Sequence, residues 1–570
     1  MAQLEEAPKV SVQDQLNTSW IRRALTGRRG RNLREYLTGY LFILPSILLI
    51  FTFGLFPVGF AFYVSVHKWK IKHGPFVGLN NYVSAIDTLA YLLFFAVSVG
   101  LVYLAIRSIR TIIHLSREHD DRPWIFIPLG LLQAGSILLF IKYVVILAPE
   151  ILGIADKVRG LERSRELFMQ LLGEALRAES VLPIFLQWLA IFILAWLTTI
   201  IVWRLSRNPR RNAYLSHFTV LFTTIAGSAI TAWFTWSEMQ TAIQEAIESG
   251  SEIGIGVQVV SISAGILLLI LAWRLWQNAV GHASDRAFIW RGLAALFLIV
   301  AGWLLIGEVP AAIEAGDKDL WLGLKVTVFY SFGTVPFQLS ISLVLAYLLF
   351  QNVRGKEAFR VVYFLPYVTP AVASAVVFNL IFGPRATSPI NAILTFFGGE
   401  HQKWLMEPGG VFTILGKSIG LDVPSWAAGP SLALVVIIIY SIWTYVGYDT
   451  VIYLAGLGNI SNEINEAAAI DGANRWQIFR HVTLPLLSPT TYFLSLIAVI
   501  GTFKAFNHIW VLRDQMALGT VDTFSVVIFD EFFTKTRFGH ASAMAFVLFA
   551  IILGLTYVNN KVQGSRVFYG

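Results

Sequence analysis

The sequence predicts an all-α protein that crosses a membrane about twelve times. Composition is the first reason: of 570 residues, 56% are hydrophobic and only 14% are charged, against roughly 25% charged in soluble domains. Mean hydropathy is +0.66, and a soluble chain of this length has no interior large enough to hide so much apolar surface. The second reason is arrangement. The apolar residues fall into runs of about 20, the length a helix needs to cross the hydrocarbon core. Nothing polar enough for a separate soluble domain lies between them.

In chain order the candidate spans lie near 37–66, 90–112, 123–148, 183–203, 213–235, 254–276, 287–307, 322–350, 358–383, 430–455, 488–511 and 541–560. About 35 polar residues precede the first run, so the N-terminus does not read as a secretory signal. The 18 Trp, 19 Tyr and 42 Phe fit a chain with two membrane interfaces to mark. The absence of Cys excludes disulfides and Cys-ligated metals.

Orientation follows from Lys and Arg, which accumulate on the cytoplasmic side. Arg22, Arg23, Arg28, Arg29, Arg31 and Arg34 put the segment 1–35 inside, and twelve spans return the C-terminus to the same side. The loop after span 4 (Arg204, Arg207, Arg210, Arg211) and the loop after span 6 (Arg274, Arg286 and Arg291 against Asp285) fall inside. The loop after span 5 (Glu238, Glu245, Glu248, Glu252) and the loop after span 7 (Glu308, Glu314, Asp317 and Asp319 against Lys318) fall outside. Lys68, Lys70 and Lys72, after span 1, dissent and are outvoted. The net charge of +8 is thus spent on orientation between apolar runs, so membrane lipid and not nucleic acid is the expected surrounding.

The stretch 88–320 reads as repeated helical hairpins. A shift of 70 residues superposes Trp203-Arg204-Leu205 on Trp273-Arg274-Leu275, Phe218 on Phe288, Trp233 on Trp303, Glu238 on Glu308, and Ala242-Ile243 on Ala312-Ile313. Arg107 and "APEI" at 148–151 suggest a looser first copy. The charged segment 150–182 has helical spacing, and reads equally as an interfacial helix or as a solvated connection.

The most informative segment is 462–489, in a predicted cytoplasmic loop. Asn462 is placed to cap a helix whose N-terminal end carries Glu463 and Glu466. Ala467, Ala468 and Ala469 are strong helix formers with little bulk. Asp471-Gly472 breaks the helix, because Gly reaches backbone conformations closed to other residues. Asn474 starts a second helix with Trp476, Phe479 and Val482 on its apolar side, and Pro485 and Pro489 end it before the next span. A small-faced, exposed helix of this kind is shaped to dock into a groove on another protein.

This segment, "EAAAIDGANRWQIFRHVTLPLLSP" (466–489), resembles the EAA loop of ABC-importer permeases at Glu466, Ala467, Ala468, Asp471, Gly472, Ala473, Phe479, Leu484 and Pro485. The stretches "FVGLNNY" (76–82), "LKVTVFYSFGTVPFQLSISLVLAYLL" (324–349), "RGKEAFRVVYFLPYVTPAVASAVVFNLIFGP" (354–384, centred on Phe364-Leu365-Pro366-Tyr367) and "FGHASAMAFVLFAIIL" (538–553) are similar to the maltose-type (MalF-like) carbohydrate branch of that family. The resemblance implies a type I permease core made of 36–85 and 321–570. That core is split by an inserted segment of about six spans at 86–320. One departure is "QMALG" at 515–519, where the family commonly has a Gly-Gly-Pro turn.

The resemblance further implies a permease subunit of a sugar or oligosaccharide importer in a prokaryotic cytoplasmic (inner) membrane, with both termini inside. A maltose, maltodextrin or trehalose-like cargo is favoured. The loop would act as the coupling helix of an ABC ATPase dimer, with Glu466 facing a basic residue there. A sister permease would supply the other half of the pore, and an extracytoplasmic sugar-binding protein would deliver the cargo. No cofactor, catalytic residue or metal is expected on this chain. ATP and Mg belong to the ATPase, since "GVFTILGKS" (410–418) has five residues between its glycines where a P-loop has four. Sugars are held by aromatic faces and polar groups, and the family's substrate contacts flank the EAA loop. This points to Tyr445, Tyr448 and Asp449 on one span, and to Phe503 and Asn507 on the other, among the polar and aromatic residues Trp443, Lys504, Phe506, His508 and Trp510. The alternative is a secondary transporter or channel that works through the inserted hairpins. The insert also reads as a membrane-embedded scaffold for a partner or for lipids.

Overall fold

The computed structural model describes residues 28–158, 164–206, 208–248, 250, 255–280, 285–351 and 354–563. Arg22, Arg23, Arg207 and Glu252 lie outside the described residues. The chain divides into two compact units, Met1–Val64 and Ser65–Gly570.

The first unit is one long helical run. Helix α1 (Arg28–Ile50) carries Pro45 inside it, passes through a π-turn at Phe51–Leu55, and continues as α2 (Phe56–Ser65).

The second unit is built of helices joined by loops, and its described residues hold no strand beyond two isolated β-bridges, His67 to Phe76 and Gly410 to Ser431. It begins with the short α3 (Asn80–Ile86) and then the long helices α4 (Leu89–His119) and α5 (Ile127–Leu152). The small α6 (Arg165–Leu176) follows, then α7 (Leu182–Leu205), α8 (Arg211–Glu248), α9 (Ile255–Val280) and α10 (Asp285–Ala315). Next come α11 (Lys318–Phe350), α12 (Lys356–Val368), α13 (Ala371–Ile381) and α14 (Leu432–Gly458). The segment after α14 holds α15 (Asn462–Ile470) and α16 (Arg475–Ile478). The chain ends with α17 (Ser488–Phe503), α18 (Asn507–Leu512), α19 (Phe524–Phe529) and α20 (Phe538–Gln563).

The twelve expected crossings appear as ten long apolar helices and two bent pairs. Two expected spans are therefore not straight. The span expected at 358–383 turns by 96° between α12 and α13. Pro370 causes this, because its ring drives Thr369 into extended backbone (φ −68°, ψ 135°) and it has no N–H to continue the helix. The span expected at 488–511 meets the helix before it at 61° and is then interrupted again at Lys504–Phe506.

Among lipids there is no hydrophobic drive between helices, so small residues and interhelical hydrogen bonds hold them together. Helix α14 packs against α11 and α12 on such a face. A side chain on Gly447 would run into the backbone carbonyl of Tyr363, so only glycine lets α12 approach this closely. The Ser342 hydroxyl donates to the Val446 carbonyl at 3.0 Å, and the Gln338 amide donates to Asp449 at 2.6 Å. Tyr330, Ser441 and His508 form a buried triad across α11, α14 and α18, with contacts of 2.6, 2.9 and 3.2 Å.

The expected hairpin repeat does not survive as packing. Helices α9 and α10 lie against each other as a hairpin, whereas α7 packs on α5, and α8 packs on α4 and α5. The polar positions dictate this pairing. Gln133 of α5 meets Thr199 of α7 and Thr219 of α8, and Ser98 of α4 bonds Ser228 of α8. The matching residues of α9 and α10 are apolar or small, so sequence similarity at a 70-residue shift does not carry the same partners. Within the charged segment, Arg165–Leu176 form α6, capped by Ser164 and packed on α5, with Phe168 and Met169 exposed.

Candidate functional site

The loop 462–489 is built as the sequence suggests, with one shift. Ser461, not Asn462, is the N-cap of α15: its hydroxyl accepts from the Glu463 N–H at 3.2 Å. Asn462 is already helical, because the Ser461 backbone (φ −62°, ψ 135°) takes the extended shape a cap requires. At the other end Gly472 sits at φ +84°. Its N–H reaches the Ala469 carbonyl at 3.1 Å, and the Ala473 N–H reaches the Ala468 carbonyl at 3.0 Å. These are the two bonds of a Schellman stop. Asn474 and Gln477 then form a reciprocal capping box on α16. Phe479 leaves through a π-turn and packs on Tyr347 of α11, ring centres 4.7 Å apart, which pins the loop to the membrane helices. Pro485 stands in the first turn of the short helix Leu484–Leu486.

The loop's outer surface is unusual for a solvated segment. Ile470 is 86% exposed, Trp476 and Ile464 are exposed, and Glu466, Ala467, Asp471 and Gly472 are exposed beside them. Glu466 forms no ion pair among the described residues. An exposed apolar knob thus stands beside a carboxylate that has no ion pair among the described residues. Ile470 was not singled out from the sequence, where it reads as one more apolar helix residue.

The second site is the interruption between α17 and α18. Helix α17 stops at Phe503, and Phe506 (φ −140°, ψ −60°) breaks the backbone before α18 starts at Asn507. Carbonyls freed in a membrane must find new donors. Here Ser525 donates to the Phe503 carbonyl at 3.1 Å and Thr523 to the Ala505 carbonyl at 3.3 Å. The break leaves Lys504 and Asn507 exposed. Lys504 and Asn507 thus present polar groups at an interrupted apolar helix, where ionisable residues mark candidate functional positions.

Residues 338–563 match the family model described as the inner membrane component of binding-protein-dependent transport systems. A probable ABC transporter permease of Bacillus subtilis, YesP, is 33% identical over 258 residues, covering 45% of this chain and 75% of YesP. This chain belongs to the carbohydrate ABC-importer permeases. The arabinooligosaccharides transport system permease AraP of Bacillus subtilis is 29% identical over 290 residues, covering 50% of the permease described here and 85% of AraP. The trehalose/maltose transport system permease MalF of Thermococcus litoralis is 26% identical over 249 residues, covering 44% of this permease and 76% of MalF. A chain from the crystal structure of a bacterial alginate ABC transporter overlays at a TM-score of 0.38 and 22% identity, covering 45% of this permease and 81% of that chain. That overlay is too loose to argue from. The family makes the permease a multi-pass inner membrane transport subunit and not an enzyme.

The structure separates the five residues singled out as substrate contacts. Asn507 is exposed at the break. Tyr445 is partly exposed and Tyr448 half-buried, and both meet Tyr367 of α12, at 6.0 and 4.7 Å between ring centres. Asp449 is only 3% exposed and is occupied by Gln338. Phe503 is buried in the cluster formed with Leu320, Phe524 and Met544. Both are thus turned into helix contacts and away from any open surface: a slip of one residue along a helix rotates a side chain by about 100°. Tyr367 was missed as a site residue, although Pro366 and Pro370 around it mark the bend that brings it there.

Proposed function

We propose that this permease forms half of a translocation pore for a sugar or oligosaccharide, and that an ATPase drives it through the loop 462–489. The observation that carries the reading is the exposed knob of Ile470 beside Glu466, held stiff by the Gly472 stop and pinned by Phe479 on Tyr347. A rigid lever of this kind transmits a push from a docked partner into α11 and α14. The partner is a separate ABC ATPase dimer that holds the ATP and Mg, with Glu466 meeting a basic residue in its cleft. A sister permease completes the pore, and an extracytoplasmic binding protein delivers the cargo. Both termini are cytoplasmic on this reading. The names of AraP and of the Thermococcus litoralis MalF support an oligosaccharide, maltose-like or trehalose-like cargo. ATP binding would shift the population from an inward-open to an outward-open pore.

Lys504 and Asn507 at the break, with Tyr445, Tyr448 and Tyr367 on the facing helices, are the proposed substrate contacts. The core and insert boundaries, 36–85 and 321–570 around 86–320, belong to the same proposal. The alternative of a secondary transporter working through hairpin repeats loses its support, because α7 and α8 do not pair as α9 and α10 do.

The test is uptake by proteoliposomes holding the permease with its ATPase, sister permease and binding protein, run with maltodextrins and trehalose first. ATP-dependent uptake is expected, and Glu466→Lys is expected to abolish it while the protein stays in the membrane. Uptake without the ATPase, or uptake indifferent to Glu466→Lys, would sink the coupling proposal.

A further inference from the structure

An aromatic row starts at the helix break and climbs toward the outer face. Phe506 stands at the break itself. Its ring lies 5.6 Å from Trp510, one turn along α18, and 4.6 Å from Phe529 at the end of α19. Trp510 lies 4.9 Å from Phe529, and Phe529 lies 5.3 Å from Phe533. The rings are not sealed into the core: Phe506, Trp510 and Phe529 are half-buried, and Phe533 is 70% exposed.

Both ends of the row are charged. Lys504 is exposed at the lower end. At the upper end the Arg513 guanidinium sits 5.2 Å over the Trp510 ring and is gripped by Asp522, Nε to Oδ1 at 2.7 Å and Nη2 to Oδ2 at 2.8 Å. Asp530 approaches the same guanidinium at 3.8 Å. The row is thus bounded by an exposed lysine at one end and a carboxylate-held arginine at the other. Rings flanked by carboxylates and a guanidinium are the chemistry that receives a carbohydrate. The apolar face of a pyranose stacks on the ring, and the hydroxyls bond to the charged groups.

We infer that Trp510, Phe529 and Phe533 form an outer sugar subsite, above the Lys504 and Asn507 break, that holds the next units of an oligosaccharide chain. This rests on the sugar-permease reading of the break and deepens it, because a cargo that needs the second platform is longer than a disaccharide.

The experiment compares maltose with maltotetraose in proteoliposomes carrying the full importer, for the unmodified protein, Phe533→Ala and Phe529→Leu. Asn507→Ala marks the inner site. Phe533 is mostly exposed, so its truncation removes a platform without opening the core, and thermal melting in detergent checks that each variant folds. KM for maltotetraose is expected to rise about fivefold more than KM for maltose in Phe533→Ala and Phe529→Leu, the size of one lost aromatic contact. Asn507→Ala is expected to impair both sugars alike. If folded Phe533→Ala and Phe529→Leu treat the two lengths equally, the row is a packing feature and the outer subsite is overturned while the importer reading stands. If the unmodified importer takes up neither sugar, nor any other oligosaccharide of a panel, the sugar reading of the break fails and the subsite falls with it.

Discussion

At the scale of single residues, charged groups fasten neighbouring helix ends, some of them to partners far away in sequence. Glu531 is 0% exposed and accepts from Lys535 and Arg537, each at 2.6 Å, while Lys535 also reaches Asp319 at 3.3 Å. Asp317 caps α11 by accepting from the Leu320 N–H, and bonds His540 of α20 at 3.4 Å. The bond to His540 holds the Asp317 carboxyl below the usual carboxylate range, against the opposing effect of burial. A lowered folded-state pKa means that this tie contributes stability above the ordinary carboxylate value and loses it as pH falls through the lowered one. His540→Ala should therefore lower the stability at neutral pH and flatten the acid limb, because an Asp317 that titrates alike in the folded and unfolded chain contributes no pH dependence. Thermal melts of both proteins between about pH 6 and about pH 3 read this directly. Identical acid limbs would mean that His540 does not set the Asp317 titration. The sequence marked Asp317 only as one acid of an outer loop, since nothing local names a histidine more than two hundred residues on.

At the scale of elements, two kinds of signal differ in legibility. Local ones were readable: the Asp471-Gly472 break, the Asn474 start and the proline ends of the loop all follow from backbone chemistry within a few residues. Non-local ones were not. The sequence treats Gly447 as an ordinary glycine in an apolar span, yet it is the point where α12 crosses α14 with the Tyr363 carbonyl against it. Gly447→Leu should cost about 1–3 kcal/mol as an overpacked contact. It should appear as a lower melting temperature in detergent, and as faster hydrogen exchange in α12. A melting temperature equal to that of the unmodified protein would show that α12 is free to move off. The same holds for the break at Lys504–Phe506. Its polar residues were visible in the sequence, but its continuity as a helix was the natural expectation, because the donors that permit the break, Thr523 and Ser525, come from α19.

At the scale of the whole molecule, the outer segment 66–86 is the junction within the second unit. Gly539 of α20 donates to the Trp69 carbonyl at 3.0 Å, His540 bonds the Asn81 carbonyl at 3.2 Å, and Asp317 donates its N–H to the Ala85 carbonyl at 3.0 Å. From the other side, Glu238 of α8 accepts from the Leu79 N–H at 3.1 Å at the start of α3. Helices α8, α11 and α20 therefore share one fastening. Replacing Glu238 with Ala removes a charged acceptor, a change worth roughly 1.5–3 kcal/mol. Amide exchange over Leu79–Ile86 should speed up about tenfold or more, while exchange at Phe126 and Phe218, in the separate cluster of α4, α5 and α8, stays slow. Uniform acceleration across the unit would contradict a local fastening.

The amino-acid sequence by itself determined the solvent this protein lives in, the ten to twelve candidate crossings, the family and the shape of the loop 462–489. Each of these depends on composition or on residues close together in the chain, where hydropathy, caps and glycine act without distant partners. Only the tertiary structure decided which spans are bent, which helices of 86–320 pair, and which polar groups in the membrane stay open. Asp449 and Asn507 looked alike as candidates, yet one is closed by Gln338 from 111 residues away and the other is exposed at a broken helix. Within a membrane every helix is apolar enough to pack on every other, so hydrophobic pattern does not choose partners. The choice falls to small residues and single hydrogen bonds between helices remote in sequence.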